Sequence, residues 1–190
     1  MTNGKKIVAL LGFLAAAAAG PVAAQHSGLY VGAQAGVVQW QTACDNRAGV
    51  CDDKDGGGRL FLGYQFNRYV ALEGAYANLG NVKLTGPGVD TETKAEGFDL
   101  IGVFTIPLTD RFSLLGKAGA YRLRAATEDP LNGINTGETS SGFVYGLGAG
   151  YDMGKLGIRA EFLRYDNVGG ARVGEDSLFL LSLGVLFRFY

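Results

Sequence analysis

From Leu60 to Tyr76 the chain alternates with a period of two. Leu60, Leu62, Tyr64 and Phe66 share one parity, opposite Arg59, Phe61, Gly63 and Gln65. After a break at Asn67-Arg68, Val70, Leu72, Gly74 and Tyr76 alternate with Ala71, Glu73 and Ala75. Two such runs around a tight break predict an antiparallel hairpin. The pattern recurs from Asp99 to Pro107 and Phe112 to Leu123 around Thr109-Asp110. It recurs again from Gly142 to Tyr151 and Leu156 to Tyr165, with a turn near Gly154-Lys155. Leu29 to Trp40 and Leu178 to Phe189 supply the outermost strands, eight in all. Four further connections, at about 41–57, 80–95, 126–140 and 167–176, are polar and expected as long loops.

The apolar parity ends in aromatics, while the other parity holds glycine, alanine and single charges. A soluble sandwich would show the opposite arrangement. Lipid outside and a packed polar lumen account for it, so the fold class expected is all-β, a closed eight-stranded antiparallel up-and-down transmembrane β-barrel. After residue 25 no apolar run approaches the roughly 20 residues a membrane helix needs. Short turns on one side and long loops on the other put both termini on the short-turn side.

A cleavable signal peptide is expected before the barrel, over residues 1–24. Lys5 and Lys6 precede an apolar run from Ile7 to Ala19, and Val22-Ala23-Ala24 offers small residues for cleavage before Gln25. The barrel domain is then 25–190. Glycine makes up 31 of 190 residues, which disfavours long soluble helices. A net charge of −1 with no basic block excludes nucleic acid as a partner. The 11% of aromatic residues excludes disorder.

The segment GYQFNRYVALEGAYANLG, Gly63 to Gly80, with the opening GLYVGAQAG and the ending GVLFRF, resembles the membrane domain of the OmpA-like family of small outer-membrane barrels. The resemblance covers nearly all of 25–190. It implies an integral protein of the Gram-negative outer membrane, with no catalytic residues and no cofactor, whose surface loops touch host molecules, phage, complement factors or neighbouring lipids. Larger members of the family add a periplasmic peptidoglycan-binding domain; this sequence ends at Tyr190, so wall anchoring is not expected. The last strand, with Phe187, Phe189 and Tyr190, is similar to the signal read by the barrel-assembly machinery, to which periplasmic chaperones would deliver the chain. Tyr190 departs from that signal by following the outward Phe189.

By alternation Gln34, Arg59, Glu73, Lys117, Arg159, Glu161 and Arg188 point inward. The resemblance implies an interior ion network at Glu73, Lys117, Arg159 and Glu161, extended here by Arg59. The expected pairs are Glu73 with Arg159 and Lys117 with Glu161, because an unpaired interior charge is costly. Val103 and Gly150 stand where related barrels carry a further lysine and carboxylate, so a smaller network is expected. It either plugs the lumen or, in the alternative reading, gates a narrow channel for ions or small solutes, possibly hydrophobic ones. Gly146, Gly148 and Gly150 leave room for long side chains or water.

Cys44 and Cys51, with six residues between them in an oxidising export route, are expected to form a disulfide worth about 2 kcal/mol or less. Asp52, Asp53 and Asp55 offer calcium ligands without the EF-hand spacing, so a solvated acidic loop is preferred and no metal site is expected. The single histidine, His26, lies beside the cleavage site and cannot serve a Ser-His pair at a barrel mouth. Arg122, Arg124 and Arg164 fall on the lipid-facing parity near the long-loop rim. There they are candidate contacts for lipopolysaccharide phosphates, alongside general contact with outer-membrane lipids. Trp40, Tyr30 and Tyr69 are candidates to mark the membrane interfaces, although alternation points the first two inward.

Overall fold

The computed structural model describes residues 27–40, 50–52, 54–86, 89–129, 134–170 and 174–189. Its strands are β1 (Gly28–Trp40), β2 (Val50–Asp52), β3 (Lys54–Gln65), β4 (Val70–Gly86), β5 (Val89–Pro107), β6 (Phe112–Asp129), β7 (Ile134–Met153), β8 (Leu156–Gly170) and β9 (Gly174–Arg188). All neighbouring pairs are antiparallel. The order β4-β3-β1-β9-β8-β7-β6-β5 is closed by pairing of β4 with β5. Short β2 continues the line of β3 along β4, Cys51 opposite Leu84. The result is a barrel of eight staves without an edge inside the membrane, which hydrocarbon requires because it offers no partners to free backbone groups.

Alternation places the apolar set outside. Leu60, Leu62, Phe98, Leu100, Phe143, Leu147, Leu181 and Leu183 are all exposed, in the company that lipid provides. Aromatics bound this belt. Tyr64, Phe66, Tyr69, Phe112, Tyr151, Phe187 and Phe189 lie toward the short turns, and Tyr76, Phe98, Phe143, Phe162 and Phe179 lie toward the other end. Tyr30 and Trp40 do not join these girdles. Both are buried inside the barrel, 1% and 5% exposed, because the pleat puts them on the parity of Gln34. Tyr69 is exposed at the short-turn interface.

Each short turn is fastened by a side-chain oxygen. Asn67 Oδ1 accepts from the backbone N–H of Tyr69 and Val70 at 2.8 and 3.0 Å. Thr109 Oγ1 accepts from Arg111 and Phe112, and Asp152 Oδ1 accepts from Gly154, which has φ +84°. Such side-chain bonds are the usual reason Asn, Asp, Ser and Thr favour turns.

On the opposite side the expected loops are largely strand. Ladder pairs continue to Gly86–Val89, Asp129–Ile134 and Gly170–Gly174, so the described parts of the segments at 80–95, 126–140 and 167–176 are paired strand arms. Within 41–57, residues 50–52 and 54–57 are also strand. The arms carry polar β-formers whose backbone bonds pair them without an apolar face, so a hydrophobicity pattern does not reveal them. Register shifts mark where two arms leave the wall. One lies between Asn78 and Asn81, where Gly80 has φ +68° and Asp55 accepts from Asn81 N–H at 2.8 Å. The other lies between Tyr165 and Val168, at Asn167 with φ 60°. Among the described residues, ladder pairing of β7 with β8 ends at Val144–Tyr165, while β7 pairs with β6 as far as Ile134.

Candidate functional site

The lumen is layered in three storeys. In the middle storey three cations meet three carboxylates. Lys117 Nζ on β6 donates to Glu73 Oε2 at 2.7 Å and to Glu161 Oε2 at 2.8 Å. Arg159 on β8 donates to Glu73 Oε1 on the opposite wall and lies 3.8 Å from Glu161. Arg59 on β3 donates twice to Asp99, Nε to Oδ2 at 2.9 Å and Nη2 to Oδ1 at 2.6 Å, and comes within 3.9 Å of Glu161. Gln34 links the two halves: with its amide turned to suit both neighbours, it donates to Glu161 and accepts from Arg59, each at 3.1 Å.

Aromatic hydroxyls complete the carboxylates. Tyr30 donates to Glu73 at 2.9 Å and Tyr165 to Asp99 at 2.8 Å. Phe61 lies under both Lys117 and Arg159, and the Tyr30 ring under Arg159. Small residues make the space for these long side chains. Lys117 stands opposite Gly146, Glu161 opposite Gly148, and Arg159 between Gly150 and Gly184. Gly63 faces Glu73, and a Cβ there would stand 2.2 Å from Tyr30 Cζ. A small residue beside a large one is how an eight-stranded interior is filled without a pore.

The structure thus brings together Glu73, Lys117, Arg159, Glu161 and Arg59, and adds Asp99, Tyr30 and Tyr165, which the sequence reading left out. The network is not the reduced one expected from Val103 and Gly150. Those two positions are apolar or empty, but Asp99 supplies a third carboxylate on β5, on the same inward parity as Ile101 and Val103. That parity was the signal available. Arg188, expected inside, sits at the short-turn mouth, where it pairs with Asp152 at 2.9 Å and donates to Gly154 O. There a polar vestibule of about 420 Å³ opens inward as far as Arg159.

Above the ionic storey the inward faces turn largely apolar or small, with Asp55 on β3 and Tyr165 on β8 as exceptions among the described residues. Toward the arms come Val38 and Trp40 on β1, Gly57 on β3, Ala77 and Leu79 on β4, and Ala95 on β5. Leu123 and Ala125 follow on β6, Val144 on β7, Leu163 and Val168 on β8, and Leu178 and Leu180 on β9. The non-glycine members are buried, most of them with no exposed surface. An apolar layer packed this way excludes water. Sequence reading placed charges in the lumen but did not separate this layer from them.

On the outside, Arg122 and Arg124 are exposed on β6, and Arg164 is half-buried on β8, bonded to Asp166 at 2.5 Å and lying over the Phe179 ring. Asp55 is engaged by Gly56 and Asn81 N–H. Asp53 and Cys44 lie outside the described residues, as do 1–24, His26 and Tyr190; Asp52 and Cys51 are placed only as backbone of β2. Phe187 and Phe189 are exposed toward lipid, their rings edge to face.

A closed eight-stave barrel with an apolar exterior, two aromatic girdles and a charged interior defines a transmembrane protein of the outer-membrane type. The chain belongs to the OmpA-like transmembrane domain family, whose model it matches over residues 24–190. It is 32% identical over 186 residues to outer membrane protein A of Escherichia coli O157:H7, and 31% identical over 189 residues to that of Salmonella typhi. Each match covers 96% of this chain and 53% of the relative, so the chain spans about half the length of these curated relatives. Neisserial surface protein A has the same fold, with a TM-score of 0.62 at 20% identity over 86% of this chain and 99% of that one. Ail of Yersinia pestis, solved with the heparin analogue sucrose octasulfate, gives 0.55 at 19% identity over 86% and 98%. The protein is integral to the Gram-negative outer membrane.

Proposed function

We propose that this chain is a non-enzymatic surface anchor: a barrel sealed along its lumen that holds β-hairpin arms outside the membrane as contact surfaces. The observation that carries this is the apolar storey above the ion network. The vestibule at the short-turn mouth ends at Arg159, and beyond the ionic layer the inward faces of the staves are dominated by buried apolar residues and glycine, with Ser140 on β7 and Asp55 on β3 as polar members farther toward the arms. A narrow channel gated by exchange of the ion pairs alone would still meet that layer. Host or surface ligands engaged by the arms, lipopolysaccharide phosphates engaged by Arg122, Arg124 and Arg164, and recognition of the Phe187–Phe189 strand end by the assembly machinery all belong to this reading. Lipid-facing arginines at the interface cost little and suit bidentate phosphate binding.

Liposome swelling with a monosaccharide tests it. Vesicles holding the refolded chain should swell no faster than empty vesicles. Faster swelling overturns the sealed-anchor reading in favour of a channel.

A further inference from the structure

The belt has one depression. Along β6 the outward residues below Arg122 are Ala120, Ala118 and Gly116, and Gly102 stands opposite Ala118 on β5. They floor an open apolar groove of about 570 Å³ walled by Phe104, Tyr145, Leu147 and Val70. Interior packing does not explain the two glycines. A Cβ at Gly116 would meet nothing nearer than Phe104 O at 4.0 Å, and one at Gly102 only Ala118 O at 3.5 Å. At inward Gly146, by contrast, a Cβ would come within 2.0 Å of Phe162 O.

The groove leads up to charge. Arg122 and Arg124 continue the same outward column of β6, and no hydrogen bond or ion pair is made by either guanidinium among the described residues. The carboxylate opposite Arg124 is Glu96, already engaged by the Tyr76 hydroxyl at 3.1 Å and by Lys94 at 3.3 Å. From Arg122 down to Ala118 is about 13 Å along the strand. That places a cationic pair, without a partner among the described residues, at the interface with an apolar trough beneath it.

The geometry points to a seat for one lipopolysaccharide molecule, its phosphate bound by Arg122 and Arg124 and an acyl chain laid in the groove over Gly116 and Gly102. This rests on the reading of the rim arginines as lipopolysaccharide contacts and makes it specific to one face. Arg164, whose guanidinium is taken by Asp166, is not part of the seat. Charge complementarity selects an anionic amphiphile over a second copy of the chain, because two copies meeting at this face would bring like charges together.

Native mass spectrometry of the full folded chain, released from micelles doped with purified lipopolysaccharide, tests the seat. The wild type should retain one molecule, and both Arg122→Gln/Arg124→Gln and the groove-filling Gly116→Leu should weaken retention at least about tenfold. Gly102→Val is a second filler should Gly116→Leu not refold. Ala35→Leu, on the diametrically opposite β1, should retain it like the wild type. Loss from the double arginine variant with none from either filler overturns the seat while leaving diffuse rim contact standing. No loss in any variant overturns both. A dimer of the wild type that Gly116→Leu abolishes overturns the lipid in favour of a second copy.

Discussion

Arg59 and Asp99 form a bidentate pair inside the barrel, at 2.9 and 2.6 Å, with neither side chain reaching solvent. The strands that carry them, β3 and β5, are separated by β4, so the pair ties staves that share no backbone ladder. Removing one member of a buried pair leaves its partner uncompensated.

Asp99→Ala is therefore expected to cost about 3–5 kcal/mol, since it strands both the Arg59 guanidinium and the Tyr165 hydroxyl. Replacing both members, as Asp99→Ala/Arg59→Leu, should recover part of that loss. Urea unfolding of the refolded barrel in vesicles measures both. A loss below about 1 kcal/mol for Asp99→Ala would show that the pair is not load-sharing in the wall.

The glycines divide into two kinds. Gly63→Ala forces a methyl toward Tyr30, whose Cζ lies 2.2 Å from the ideal Cβ position, and should cost about 1–3 kcal/mol. Gly116→Ala places its methyl in open space and should stay within about 0.5 kcal/mol of the wild type. Equal losses in the same unfolding experiment would contradict the division into filled and open positions.

Much of the wall was legible in the sequence because period-two alternation is enforced by lipid on one side and packing on the other. Leu60, Leu62 and Tyr64 read directly as an outward column. Asp99 was missed because it opens an apolar run and passed for the strand's beginning, although its inward parity with Ile101 and Val103 was visible. Tyr30 and Trp40 were drawn toward the interfaces by residue type, whereas the pleat put them inside. The arms were read as loops because Thr, Asn, Lys and Glu carry no apolar alternation, and what holds those strands is backbone pairing. The apolar storey went unseen for another reason: inward Leu123, Leu163 and Leu180 share a parity with the charges on their own strands, Lys117, Glu161 and Arg188, and only the staggered register sorts them into layers.

The turns offer a smaller test. Asn67→Ala removes both acceptor bonds to Tyr69 and Val70 and should cost about 1 kcal/mol per barrel. Asn67→Asp keeps an acceptor oxygen and should fall between the two. Circular dichroism during thermal or urea unfolding ranks the three, and an alanine variant as stable as the wild type would remove the side chain from the account of the turn.

The apolar storey should also appear in stability. Leu123→Ala and Leu163→Ala each remove a side chain with no exposed surface and should cost about 2–5 kcal/mol, as cavities in a close-packed core do. A cost near zero would mean that these positions are loosely packed and open to water.

The most direct test of the sealed lumen is single-channel recording in planar bilayers of the refolded wild type, Arg159→Ala and Arg159→Ala/Leu163→Ser/Leu180→Ser, with insertion verified for each. Because the ionic and apolar storeys lie in series, the account predicts a silent wild type, a silent Arg159→Ala, and current steps only in the variant that breaches both layers. Regular steps in the wild type, or in Arg159→Ala alone, would contradict it.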